Sequence, residues 1–380
     1  MNLGGTEKSF LNLLSELQDH YTVDLLLLEE YGELLKDIPE NVHTYTLKNK
    51  KEINEFLKLG NRRFAFKELQ RGRVSSFFKN MIVWLLLKFN ILKHPFYGVS
   101  RYIKNLEQSY DHAVAFAGVH DFIAYYTLNN IKAEKKHLWI HFDVSNVIFN
   151  IDFGAKHYPR YNNIICVSEN AAKTFAKLFP NLTSNIKVFE NIVSSDLLLE
   201  KANKMRGFTD DFKGYRIVTL GRLSKEKGQF MIPKVVAKLK NEGYDFRWYL
   251  IGDGNLKQAI RQEIIELNIE RNLILLGVQL NPYPFLKEAD LYVQTSLHEG
   301  YCITLHEAKI FNKPVVTTNF LSASNLIVDG EDGLITDISE EGIYRGVHRL
   351  LSDKALMKKF SRSVCVKEGA QEKIDDLFKI

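Results

Sequence analysis

Cysteine is scarce in this chain: Cys166, Cys302 and Cys365 are spread over 380 residues. An odd, scattered set argues against a disulfide framework or a zinc site and fits a reducing cytosol. No apolar run is long enough to span a bilayer, and the opening residues do not read as a secretory signal. Neither G-x-x-x-x-G-K-[ST] nor G-x-G-x-x-G occurs, so the P-loop and the dinucleotide fingerprint are both missing. His298-Glu299 and His306-Glu307 do not combine into H-E-x-x-H, which argues against a zinc hydrolase.

What is there reads as a soluble globular protein, 45% hydrophobic and 26% charged, long enough for two domains. The net charge of +5 is unevenly spread. Residues 48–104 hold 14 Lys/Arg against 3 Glu, so the rest of the chain is net acidic. The same segment contains "SSFFKNMIVWLLLKFNILKHPF". Basic residues interleaved with Phe, Trp and Leu suit an anionic membrane surface better than nucleic acid. A core helix with a solvated basic face is the alternative.

The C-terminal half alternates strand and helix. Strands are expected at 216–221, 246–252, 273–277, 291–296 and 314–319. Helices are expected from Gly228 to Asn241, through "LKQAIRQEIIEL", near Phe285 and after Thr304. This alternation predicts βαβ units on a parallel, doubly wound sheet. The N-terminal half shows strands at "TVDLLLLE", "VHTYTL", "HAVAFA", "HLWIHF", "NIICVS" and "NIKVFE", with a helix from Gly5 to Leu17. The expected organisation is an N-terminal Rossmann-like acceptor domain, 1–200, interrupted by a helical insertion at 48–104. A nucleotide-sugar domain follows at 201–365, and a helix at 366–380 that crosses back to the first domain. The boundary falls in the polar stretch between Asn191 and Lys213. Two such domains would face each other across a cleft.

The loops that follow strands carry the chemistry. "GRLSKEKG" (221–228) sets Arg222 and Lys227 in a tight turn before a helix, which makes a diphosphate clamp or a solvated basic turn. In "IGDGNL", Gly252 and Gly254 allow a close backbone approach or simply a turn. "SLHEGYCITLHEA" (296–308) places Glu299 in a loop with Gly300, where a carboxylate can reach a polyol. Its second carboxylate, Glu307, sits on the first helical turn, ready for a ribose diol. Thr304 to Glu307 also reads T-x-x-E, a capping box that needs no ligand.

G-R-L-x-x-x-K-G, then G-x-G, then E-x7-E resembles the C-terminal domain of retaining glycosyltransferases of family 4, with the two-Rossmann fold called GT-B. "NPYPFLKEADLYVQTSLHEGY", "EAKIFNKPVVTTNF" and "IVDGEDGLI" extend the resemblance over most of 215–337. "GGTEKSFLNLL" is similar to the first glycine loop and "WIHFD" to the segment bearing a histidine near the donor sugar. The resemblance implies that Arg222 and Lys227 neutralise the donor diphosphate and that Glu299 binds the transferred sugar. Gly300, Tyr301, Cys302, Ile303 and Thr304 would supply backbone N–H groups, and Glu307 would hold the ribose. Val278 would meet the base, Gly252 would allow close approach, Gly5 would near the phosphates and His141 would touch the sugar.

No D-x-D pattern occurs in this chain, so metal-independent transfer with no cofactor is expected, with cationic side chains and a helix dipole taking the ion's place. The implied function is transfer of a hexose from a UDP-sugar to a glycan acceptor, expected to be lipid-linked, for capsule or exopolysaccharide. The implied location is cytoplasmic and peripheral to the membrane, without nucleic acid. The alternative is a non-catalytic partner subunit of the same fold. Two departures stand out. Tyr301-Cys302 replaces the usual F-G, and a cysteine side chain there either crowds the sugar pocket or packs. The glycine loop lies three residues from the start, so the first strand of the N-terminal sheet is expected to be missing through a shortened start.

Overall fold

The computed structural model describes residues 5–17, 20–92, 94–116, 120–141, 144, 150–362 and 370–378. Gly4, Ala117, Phe142, Asp143, Cys365 and residues 366–369 of the expected terminal helix lie outside them. Two compact units form, Met1–Glu190 with Gln371–Ile380, and Asn191–Ala370.

In the first unit β1 (Asp24–Leu27) and β2 (His43–Thr46) make a parallel pair. A second parallel sheet runs β3 (Ser109–Ala115), β4 (Lys132–Ile140), β5 (Asn163–Cys166) and β6 (Ile186–Val188). Among the described residues the strands of this unit therefore form two sheets, not one. Tyr110 of β3 reaches the other sheet by donating to Asp24 at 2.7 Å. The terminal helix Ala370–Phe378 packs on this unit. Tyr21 donates to Asp375 at 2.9 Å, and the Phe378 ring lies 5.2 Å from His112 and 5.8 Å from His137.

Residues 48–104 hold two helices, Lys50–Gln70 and Val74–Lys88. The first kinks at Gly60, whose φ of 68° a side chain would resist. Glu68, wholly buried, ties the pair down by accepting from Arg71 at 3.3 Å, Arg73 at 3.1 Å and the Tyr102 hydroxyl.

The second unit carries β7 (Tyr215–Leu220), β8 (Phe246–Ile251), β9 (Leu273–Gly277), β10 (Leu291–Gln294), β11 (Val315–Thr318) and β12 (Leu334–Thr336). They form one parallel sheet in the order β12-β11-β10-β7-β8-β9. Side chains alternate between two cores. Phe246, Trp248 and Leu250 enter one, while Tyr249 and Ile251 enter the other, as burial on both faces requires. β12 escapes a reading of the sequence because three residues show no period.

Two expected boundaries shift. The helix Ser195–Asn203 belongs to the second unit, where Leu198 and Ala202 join Tyr283 and Leu286 in a core, so the units divide at 190/191 rather than 200/201. The helix expected from Gly228 begins at Ile232, because Gly228 is left-handed (φ 69°) and Pro233 fixes the first helical turn.

Candidate active site

From β7 the sheet grows through β8 and β9 on one side and through β10, β11 and β12 on the other. The β7/β10 junction is thus where strand order reverses, the place where open parallel sheets bind ligands beyond their carboxyl ends. The loop after β7 carries Arg222 and Lys227, and the loop after β10 carries Glu299.

Backbone stitches these loops together. Leu297 N–H donates to the Glu226 carbonyl at 2.8 Å, and the Thr295 hydroxyl donates to that of Lys227 at 2.8 Å. A Cβ on Gly228 would fall 2.0 Å from the Thr295 carbonyl oxygen, and one on Gly252 would fall 2.0 Å from that of Gly221. Gly252 is therefore a close backbone approach, not merely a turn. Its N–H donates to Gly277 at 2.8 Å, which brings the exposed Val278 to the same sheet end.

The centre is Lys227 Nζ, 2.6 Å from Glu299 Oε1. Burial draws the Lys227 ammonium down, but Glu299 more than offsets this, so its pKa is raised. Ser296 Oγ donates to the same Oε1 at 2.6 Å, and Gln294 Nε2 approaches it at 3.3 Å. Three donors thus converge on one carboxylate oxygen, and Oε2 takes none of them. Gln294 is buried in the strand LYVQ. Its Nε2 also donates to Ser296 Oγ at 2.7 Å, and its Oε1 accepts from Tyr292 and, at 3.2 Å, from Thr304. Gln294 and Ser296 were missed in the sequence, although a glutamine in an otherwise apolar buried strand is itself a signal.

Arg222 stands apart from this cluster. Its side chain is 71% exposed and pairs with Glu226 at 3.1 Å, so the expected clamp is not closed.

The helix Ile303–Ile310 starts on Cys302, and Thr304 sends its hydroxyl to Gln294. The capping box is therefore not made. Glu307 is fully buried and accepts the Tyr283 hydroxyl at 3.0 Å. Of the backbone donors expected here, Ile303 N–H is engaged by Tyr301 O at 2.9 Å. The amides of Cys302 and Thr304 precede the first intrahelical bond. Tyr301 directs its hydroxyl to His306 Nδ1 at 3.0 Å, and Gly300 turns the loop. The Cys302 thiol packs in the core, where burial and then Glu299 push its pKa up to about 12. It is a packed residue of that core.

Two expected residues lie in the first unit. His141 stacks on Trp139 and sits 4.2 Å from the Phe116 ring, with burial holding its pKa down at about 3. Burial thus favours its neutral imidazole form. Gly5 opens the helix Gly5–Leu17, and a Cβ there would meet nothing within 4 Å among the described residues.

Residues 201–364 match the family model for glycosyl transferases group 1. An uncharacterized glycosyltransferase of Methanocaldococcus jannaschii is 30% identical over 168 residues, 43% of this chain and 41% of that protein. The N-acetylgalactosamine-N,N'-diacetylbacillosaminyl-diphospho-undecaprenol 4-alpha-N-acetylgalactosaminyltransferase of Campylobacter jejuni is 26% identical over 219 residues, 57% and 58% of the two chains. The chain spans about half the length of the curated relatives it matches. Anabaena HepE, crystallised with UDP and glucose, superposes with a TM-score of 0.68 at 17% identity over 99% of this chain and 92% of its own. Residues 201–364 thus match the glycosyl transferases group 1 model, in a chain whose two Rossmann-like units have the GT-B fold.

Proposed function

We propose that this protein is a retaining, metal-independent glycosyltransferase that moves a hexose from a UDP-sugar to a glycan acceptor. The observation that carries the reading is the convergence of Lys227, Ser296 and Gln294 on one oxygen of Glu299. Such an arrangement fixes the carboxylate and keeps Oε2 for a sugar hydroxyl. Lys227 then has spare N–H donors for a diphosphate beside it.

In this reading the bond between the anomeric carbon and the diphosphate oxygen breaks while the acceptor hydroxyl attacks from the same face. The leaving phosphate takes the hydroxyl proton. Negative charge grows on the diphosphate, and Lys227, Arg222 and the first-turn amides of the helix Ile303–Ile310 stabilise it where it develops. Arg222, exposed on its loop, swings from Glu226 to the phosphates. Glu307 takes the ribose diol and Val278 the base.

The relative from Campylobacter is named for an undecaprenol-linked acceptor and an alpha linkage. Both features support a lipid-linked acceptor, retention of an α-linked donor, and work at a membrane surface in surface-glycan assembly such as capsule or exopolysaccharide. Nucleotide release from a panel of donors, with products weighed by mass spectrometry, tests the reading. Excess chelator should leave turnover intact, and a loss that Mg²⁺ or Mn²⁺ restores would overturn metal independence. Release from no donor, with or without glycan acceptors, favours a non-catalytic subunit.

A further inference from the structure

The helix Val74–Lys88 is built inside out. Its buried positions are Ser76, Asn80 and Val83. Asn80 is held by the carbonyls of Ser76 at 2.9 Å and Gly98 at 3.0 Å, and by Asn61 at 3.2 Å. The large apolar side chains Val74, Phe78, Ile82 and Leu85, with Phe89 just past the end, are 42–69% exposed. At 3.6 residues per turn these five positions fall within an arc of about 80°, opposite the buried set. Phe66 and Leu69 of the neighbouring helix are also exposed, and Phe66 joins the patch through Phe77, 5.6 Å away. Scattered exposed apolar residues need no account, but a continuous stripe on the solvent side of a helix does.

We propose that this stripe is a membrane-docking surface, with the helix Val74–Lys88 lying in the headgroup layer of an anionic lipid bilayer. The inference rests on the helix alone and not on the sugar site. Charge selects the occupant. The segment 48–104 carries 14 Lys/Arg and 3 Glu. Arg62, Arg63, Lys79 and Lys88 are exposed around the patch, and Arg62 and Lys88 sit 5.4 and 5.6 Å from the Trp84 ring. An aromatic flanked by cations, beside an apolar stripe, matches the boundary between headgroups and acyl chains. A second copy of this chain would bring the same excess of cations against it, so self-association is opposed. At about 22 Å the helix is too short to cross a bilayer, so it lies along the surface.

Trp84 supplies a readout. Of the three tryptophans, Trp139 and Trp248 are buried and Trp84 is partly exposed. The full chain is sedimented with phosphatidylcholine vesicles, with or without phosphatidylglycerol, at low and high salt, while tryptophan emission is followed. The variants are Phe78→Ser/Ile82→Ser/Phe89→Ser and Arg63→Glu/Lys88→Glu. All five side chains are exposed, and thermal melts check folding.

The parent should bind anionic vesicles, shift its emission to the blue, and weaken with salt. The serine variant should lose at least roughly tenfold in binding and the blue shift. The glutamate variant should lose the preference for anionic lipid. Absence of parent binding, equal binding to neutral and anionic vesicles, or an unaffected folded serine variant each overturns the proposal. So does a parent whose self-association, and not vesicle binding, is lost in the serine variant. If the serine variant unfolds, the glutamate variant decides.

Discussion

The Lys227 ammonium lies 2.6 Å from Oε1 of Glu299, although 72 positions separate them in sequence. Two loops from adjacent strands at the β7/β10 reversal bring them together. Each partner neutralises a part-buried charge on the other, so the site is preset before any ligand arrives.

Replacing Lys227 by Met keeps much of its apolar stem and deletes the charge. Turnover should fall about 10²–10³-fold, as when one charge-stabilising donor is lost. Steady-state kinetics beside a thermal melt checks this. Lys227→Met with turnover within a few-fold of the parent removes Lys227 from the leaving-group role.

Gln294 is argued to position Glu299 and Thr304, not to touch the donor. Gln294→Leu leaves the Tyr292 and Thr304 hydroxyls without their acceptor, at a cost of about 1–3 kcal/mol in stability. It also frees Glu299 to turn. The expected signature is a fall in kcat larger than any rise in donor KM, with no recovery in Gln294→Glu, whose carboxylate cannot donate to Glu299. A purely structural glutamine would lower the melting temperature and leave kcat per folded molecule unchanged.

Glu307→Gln separates a ribose ligand from a packing residue. The amide oxygen of glutamine still accepts the Tyr283 hydroxyl, so the melting temperature should barely move. Losing a charged acceptor should weaken donor binding roughly ten- to hundredfold. Calorimetric titration with the nucleotide measures it, and unchanged affinity takes Glu307 out of the binding site.

Acid should loosen the first unit. Burial, with neighbouring cations, lowers His94, His137 and His157 to about 4. Between the ordinary value of about 6.5 and about 4, the unfolded chain takes up protons that the folded chain refuses. Stability is thus whole above about 6.5 and drains as pH falls toward 4. Asp121 opposes this, because burial raises it to about 6 and its protonated form favours the fold below that value. His141, lowered to about 3, and His112 and His120, also lowered by burial, act in the same direction as the first three, so six groups against one leave a net loss on acidification. Melting curves at neutral pH and near pH 5 should show it, most clearly in the first unit, and equal stability would contradict it.

The second unit was legible because its strands are apolar runs punctuated by glycine loops. Lys227 and Glu299 were legible as loop residues after strands. Their contact was not, because it depends on β10 lying beside β7 and not beyond β9, and strand order leaves no mark on local pattern. Thr304 to Glu307 misled as a capping box. Sequence spacing allows it, but the buried Gln294 offers Thr304 another acceptor and the helix begins two residues earlier. The helix Val74–Lys88 is basic and apolar in sequence, yet which face meets the core is hidden there. Asn80 is buried because three partners satisfy it, and pattern alone would have turned Phe78 inward.

The pairing of β1 with β2 apart from β3–β6 has a consequence for how the molecule breathes. Among the described residues each strand of that pair has a single neighbour, whereas β7, β8, β10 and β11 are flanked on both sides. Backbone amides exchange with solvent through local openings whose cost grows with the bonds that must part. Deuterium should therefore enter β1 and β2 well before the middle of the six-stranded sheet β7–β12. The second unit then keeps its shape on timescales over which part of the first repeatedly comes undone.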